Sequence, residues 1–172
     1  WDLHPGLPLQ HIAWLRDNRP EVFSATRFWL FVNDYVTRRL TGRLCMNPSD
    51  AGITQLMDIE VGDWDARLLE LAGIHREQLS PLFPSGQVVC RLSAEAADET
   101  GLSPEALVVN GAHDQYCAAV GTGVTRTGKV LLSCGTAWVI LAVPESLEIG
   151  RKSGMSLSRH AVAGRWGAIR SL

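Results

Sequence analysis

Residues 129–133 and 138–143 are two β-rich runs separated by Cys134-Gly135-Thr136-Ala137, and this pairing constrains the fold more than any other feature. The stretch 130–143 is apolar apart from Ser133, Gly135 and Thr136. It is too broken for a membrane span, which needs roughly 18 unbroken apolar residues. A short connection containing glycine between two strand-forming runs folds back as a β-hairpin.

Upstream the pattern alternates. Residues 8–17 place Leu9, Ile12, Ala13 and Leu15 at helical spacing ahead of Asn18 and Pro20, which predicts an amphipathic helix. A second helix takes Asn33 or Asp34 as cap, carries Tyr35, Val36, Arg39 and Leu40, and closes at Gly42. Residues 44–47 suit a short strand, Pro48, Ser49, Asp50 and Gly52 a turn, and residues 53–59 a further strand. Asp63 is expected to cap a third helix over 64–72, and Ser93 to open a fourth that stops by Gly101. Residues 81–89 read as a loop and then a strand, with Pro81 and Pro84 preventing a helix. Residues 107–110, then Gly111-Ala112-His113-Asp114-Gln115, then the small-residue run 116–121 read as strand, tight turn and helix. With no internal repeat, the chain is α/β with a border expected near residues 121–128.

At 172 residues, 46% hydrophobic and 20% charged, the composition is that of a globular protein and excludes disordered and collagen-like classes. The net charge of −2 hides a split: residues 1–114 carry 9 basic and 16 acidic side chains, residues 115–172 carry 7 and 2. The basic part suits a solvated face or an anionic ligand. Aromatic and basic residues are nowhere interleaved, so no nucleic-acid partner is expected, and no membrane partner either. Cys45, Cys90, Cys117 and Cys134 are too scattered for a Cys-x-x-Cys metal site and read as reduced thiols of a cytoplasmic protein. The chain opens on Trp1 without a secretory pattern, which reads as a start inside a longer sequence. Trp14, Trp29, Trp64 and Trp138 fall in apolar segments and are expected in the core.

Asp114 follows a strand and a glycine turn at the start of a helix, a place where open α/β sheets bind ligands and where a carboxylate can act as general base. A helix cap is the other role for the same residue, and the two are compatible. The Ser133-Cys134-Gly135-Thr136 turn offers backbone N–H groups, a hydroxyl and a glycine to a phosphate, or is an ordinary hairpin turn. His113-Asp114 could suggest a metal-dependent phosphohydrolase, but His4, His11, His75 and His160 add no ligand spacing, so no metal site is assigned. Ser133, Cys134 and Cys117 lack a nucleophile motif.

Taken in order, the motifs resemble one family. Residues 33–36 through Leu40-Thr41-Gly42 resemble the KDYL…RLTG segment of the FGGY carbohydrate kinases, and Pro48-Ser49-Asp50-Ala51-Gly52-Ile53-Thr54 resembles their SDASGT segment. Asp63-Trp64-Asp65 with Leu68-Leu69, Pro84-Ser85-Gly86, the 111–115 run and the 133–136 turn resemble the DWD…LL, P-SG, GA-x-DQ and S-x-GTS segments in the same order.

The resemblance implies a partial ribonuclease H-like, actin-like ATPase fold. Residues 1–124 would be the latter part of the N-terminal sugar-binding lobe and residues 125–172 the start of the C-terminal ATP-binding lobe. It implies ATP-dependent phosphorylation of a hydroxyl of a small sugar or polyol, with Mg²⁺. Asp114 would be the catalytic base, His113, Asp114 and Gln115 would contact the substrate, and Gly135 and Thr136 would contact the ATP phosphates. A homodimer is compatible with it. His113 replaces a glycine common in xylulokinase and glycerol kinase and resembles fuculokinase-like members. Asn33, Cys90, Arg91 and Ala137 are further departures. The first phosphate hairpin and the glycine-rich adenosine loop of the family have no counterpart in these residues. The alternative is a non-catalytic sugar-binding or scaffold module derived from the kinase lobe.

Overall fold

The computed structural model describes residues 5–172; His4, set aside above as a ligand, lies outside them. Helix α1 (Pro8–Asn18) opens on proline, whose missing N–H costs nothing at the first helical position, and gives way to α2 (Pro20–Ala25). Helix α3 (Val32–Thr41) closes on Gly42 in the left-handed conformation, φ 73°. Its cap differs from the expectation. Asp34 lies inside the first turn and reaches back, accepting from the Phe31 N–H and from the Ser80 hydroxyl (2.6 Å). Its burial raises the carboxyl pKa, and those bonds pull it down.

The strand expected at 44–47 is a single parallel bridge between Met46 and Leu82. The expected turn after it is a helix, α4 (Pro48–Ile53), because Asn47 caps it and Pro48 fills its first position. With residue 53 spent on that helix, the strand expected over 53–59 shrinks to β1 (Met57–Asp58), paired antiparallel with β2 (Asp63–Trp64). Helix α5 (Ala66–Ala72) is capped by Asp65, which accepts from the Arg67 and Leu68 amides. Asp63, the expected cap, belongs to β2, and its bond to Arg76 (2.8 Å) holds its pKa low.

Strand β3 (Val88–Arg91), helix α6 (Ala94–Thr100) capped by Ser93, strand β4 (Leu107–Val109) and helix α7 (Asp114–Gly121) follow. Strands β3 and β4 form an antiparallel ribbon. The strand ahead of Asp114 therefore belongs to that ribbon and not to an open parallel sheet. The hairpin forms as expected from β5 (Val130–Cys134) and β6 (Trp138–Ala142), with Cys134 opposite Trp138. After α8 (Leu147–Lys152), β7 (Ser156–Arg159) and β8 (Trp166–Ser171) complete an antiparallel sheet of order β5-β6-β8-β7.

One core gathers Met46, Leu56, Trp64, Leu69 and Ile74; another lies between α7 and the last sheet, from Tyr116 and Ala119 to Leu141 and Ile169. Trp64 is buried as expected and donates to the Ser80 carbonyl (3.0 Å), and Trp29 packs half-buried against that core. Trp14 and Trp138 are instead 56% and 51% exposed. The first core meets the last sheet where α4 packs on β7. A Cβ on Gly52 would lie 2.1 Å from Ser158 Oγ, so only glycine admits this approach. Beside it, Arg159 donates to the Ile59 and Glu60 carbonyls and stacks 4.2 Å over the Trp166 ring. All four cysteines are unpaired. Among the described residues no helix is long and apolar enough to cross a membrane.

Candidate active site

The loop from β4 to α7 carries His113, Asp114 and Gln115. Helix α7 starts at Asp114, and the His113 carbonyl accepts from the Tyr116 and Cys117 amides (2.9 and 3.0 Å), so the loop enters the helix without slack. The Asp114 carboxylate is 79% exposed. One oxygen, Oδ1, faces His113 Nε2 at 3.2 Å and accepts from the Gln115 amide (2.6 Å). Capping is thus confined to the next amide, and the carboxylate remains open to a ligand.

Helix α4 lies behind this loop. Ser49 Oγ accepts from the His113 amide (2.9 Å) and donates to Asn47 Oδ1 (2.6 Å). Asn47 Nδ2 and Asn33 Nδ2 both donate to Asp50 Oδ2, at 2.6 and 3.0 Å. Burial pushes the Asp50 pKa up, while the Asn47 bond and the nearby His113 lower it and the charge of Asp114 raises it. Asp50 and Asp114 therefore sit within each other's field.

Beneath the loop the rings stack. Tyr116 is edge-on to His113 (5.9 Å between centroids) and to His160 (5.3 Å). Tyr116 is fully buried against Gly167 of β8, where a Cβ would come within 2.1 Å of its ring. His113 Nδ1, Gln115 Oε1, the Tyr116 hydroxyl and His160 Nε2 are buried without a hydrogen-bond partner. Such orphans are uncommon in folded proteins and gather where a ligand or water completes the set. His160 Nδ1 accepts from the Val162 amide (2.9 Å). Burial holds the His160 pKa below its ordinary value.

Gly135 and Thr136 lie at the exposed tip between β5 and β6. Gly135 donates to the Ala137 carbonyl across the tip (3.3 Å). The Thr136 hydroxyl and the Thr136 and Ala137 amides donate no hydrogen bond among the described residues. Among the described residues no hydrogen bond or ion pair joins this tip to the 113–115 segment. Reading the sequence placed Asp114 and its neighbours but assigned no part to Asn47, Ser49, Tyr116 or His160. The signal for the first two was present, since Asn-Pro followed by Asp is a helix start as much as a turn.

The N-terminal-domain signature of the FGGY family of carbohydrate kinases matches residues 2–121, and the chain belongs to that family. It is 33% identical over 162 residues to a xylulose kinase of Klebsiella pneumoniae, covering 94% of this chain and 33% of that protein. It is 30% identical over 152 residues to a gluconokinase of Bacillus subtilis, covering 87% of this chain and 30% of that protein. A crystal structure of xylulose kinase from Rhodospirillum rubrum superposes with a TM-score of 0.90 at 28% identity, covering 98% of this chain and 34% of that one. The chain spans about a third of the length of these relatives. Its fold is the α/β, actin-like ATPase fold of the sugar kinases over that portion.

Proposed function

We propose that this chain supplies the base-bearing loop and one phosphate-contacting turn of an ATP-dependent carbohydrate kinase, which transfers a phosphoryl group to a hydroxyl of a small sugar or polyol. Asp114 is the general base: it takes the proton of the attacking hydroxyl, and His113 and Gln115 hold the sugar. The Thr136 hydroxyl and the free Thr136 and Ala137 amides bind the phosphates, with Gly135 leaving room for their approach. Phosphoryl transfer depends on positioning and on charge stabilisation more than on covalent chemistry, so an open carboxylate and an open amide-lined turn on rigid supports are the parts it needs. Residues 1–124 belong to the sugar-binding lobe and residues 125–172 begin the ATP lobe.

A magnesium ion would be held here together with the nucleotide phosphates. Such an ion needs only one or two carboxylates beside phosphates and water, and the Asp114 carboxylate, exposed and with Oδ2 unbonded among the described residues, fits that demand. The bound ion neutralises charge on the phosphoryl oxygens. The protein works in the cytoplasm, where ATP and free thiols are at home.

One observation carries this reading: Asp114 opens α7 with its carboxylate in solvent, inside the stretch that the family's N-terminal-domain signature matches. The test is an assay of the longer polypeptide that contains this chain, with ATP, Mg²⁺ and a panel of pentuloses, hexoses, aldonates, glycerol and polyols. Formation of ADP and a phosphorylated product with at least one of them is expected. Binding without turnover across the panel would favour a sugar-binding module instead.

A further inference from the structure

Ser49 is fully buried and makes three hydrogen bonds that lead in three directions. Its hydroxyl proton goes to Asn47 Oδ1, which also accepts from the Asp50 amide (2.9 Å) and is therefore fixed by the cap of α4. With that proton committed, the remaining lone pairs face the His113 amide, 64 residues along the chain. On the opposite side the Ser49 carbonyl accepts from the Ser158 hydroxyl (3.1 Å), 109 residues along the chain, in the sheet that also carries the 134–138 turn. A single buried residue thus bonds the loop of the base and the sheet of the phosphate turn.

We propose that Ser49 is a positioning residue for Asp114. It acts through the His113 main chain, and through Ser158 it sets the base in register with the last sheet. This rests on the kinase reading above. The cap of α4 does not explain the arrangement, because Asn47 and Pro48 supply that cap without the His113 bond. Nor does the His113 side chain hold the loop from behind, since its Nδ1 has no partner. Without the Ser49 hydroxyl the His113 amide loses its acceptor, and the loop is free to relax by fractions of an ångström.

The experiment compares Ser49→Ala with Thr54→Ala in the longer kinase polypeptide. Thr54 is a neighbouring buried hydroxyl that bonds the Ala51 carbonyl (2.6 Å) and the Leu56 amide (3.0 Å), and it does not touch the loop. Misplacing a reacting group by about 1 Å can cost roughly 10²-fold, so Ser49→Ala should lower kcat by about tenfold or more. The KM for sugar and for ATP should move far less, and Thr54→Ala should keep kcat near wild type. Hydrogen exchange at the His113 amide gives a readout independent of activity: protection is lost in Ser49→Ala and kept in Thr54→Ala. Equal kcat in the two variants, with His113 still protected in Ser49→Ala, overturns the assignment while an active wild type leaves the kinase reading standing. An inactive wild type overturns the kinase reading, and the part of this proposal that concerns Asp114 falls with it. If Ser49→Ala does not fold, Ser158→Ala, which removes only the contact from the sheet, should lower kcat with little change in KM; unchanged kcat there contradicts the link to the sheet.

Discussion

His160 is a buried imidazole whose pKa lies below its ordinary value of 6.5, chiefly through burial, so the folded protein takes up its proton less readily than the unfolded chain. A group depressed in this way contributes stability that is present above about pH 6.5 and is lost as pH falls through its folded value. Thermal unfolding of wild type and His160→Gln between pH 7.5 and pH 5 should therefore converge: wild type loses Tm faster on acidification. Parallel curves would mean that His160 titrates alike in both states. Asp34 and Asp50 act with the opposite sign. Their folded values are raised, mainly by burial, so each favours the folded state most when protonated and costs stability as pH rises through its folded value. At this scale the sequence was partly legible. Asp114 could be read because carboxylate, glycine turn and helix start coincide within a few residues. The supports of the site could not, because Ser49 meets His113 and Ser158 across long loops, and such contacts leave no local pattern.

Helix α4 and the last sheet hold the site at the next scale. Reading Pro48 to Gly52 as a turn failed since proline, serine, aspartate and glycine serve helix starts and turns alike, and the packing of β7 on the helix decides between them. Elements with caps and periodicity at both ends, α1, α3, α6 and the β5–β6 hairpin, were legible. Strands β7 and β8 were not read, being mixed polar segments that become strands only by pairing with β6. Gly167 tests the contact between α7 and this sheet. Its missing Cβ makes room for the buried Tyr116 ring at 2.1 Å, and the ring has no free space in which to swing. Gly167→Ala should destabilise the protein by about 1–3 kcal/mol, the usual cost of overpacking a core. Chemical denaturation would measure it, and an unchanged midpoint would show that α7 tolerates a shift away from β8.

Across the whole molecule, the last sheet is joined to the N-terminal part through Ser158 and Arg159, and α8 through the Arg151–Glu60 pair (3.1 Å). The 113–115 segment and the 134–137 turn, proposed above as base loop and phosphate turn, are therefore mounted on one connected frame. By themselves they are not expected to make an enzyme. The family resemblance calls for an opposing phosphate hairpin and an adenosine loop that these residues do not contain, and phosphoryl transfer without them leaves ATP unaligned and water admitted. The purified 172-residue chain, given ATP, Mg²⁺ and the sugar panel, is expected to form no sugar phosphate above background. Turnover that disappears in Asp114→Asn would mean that a complete ATP site lies within it.

The central claim is that Asp114 removes the proton of the accepting hydroxyl. Asp114→Asn keeps the size of the side chain and the oxygen that accepts from the Gln115 amide, and it removes the base. General-base groups contribute about 10²–10⁴-fold to rate, so in the longer polypeptide kcat should fall by that order while the sugar KM changes by much less. Steady-state kinetics of wild type and Asp114→Asn on the same sugar, at saturating ATP, measures both quantities at once. A kcat that stays within about threefold of wild type, far short of the loss expected of a base, would contradict the claim and leave Asp114 as the start of a helix and nothing more.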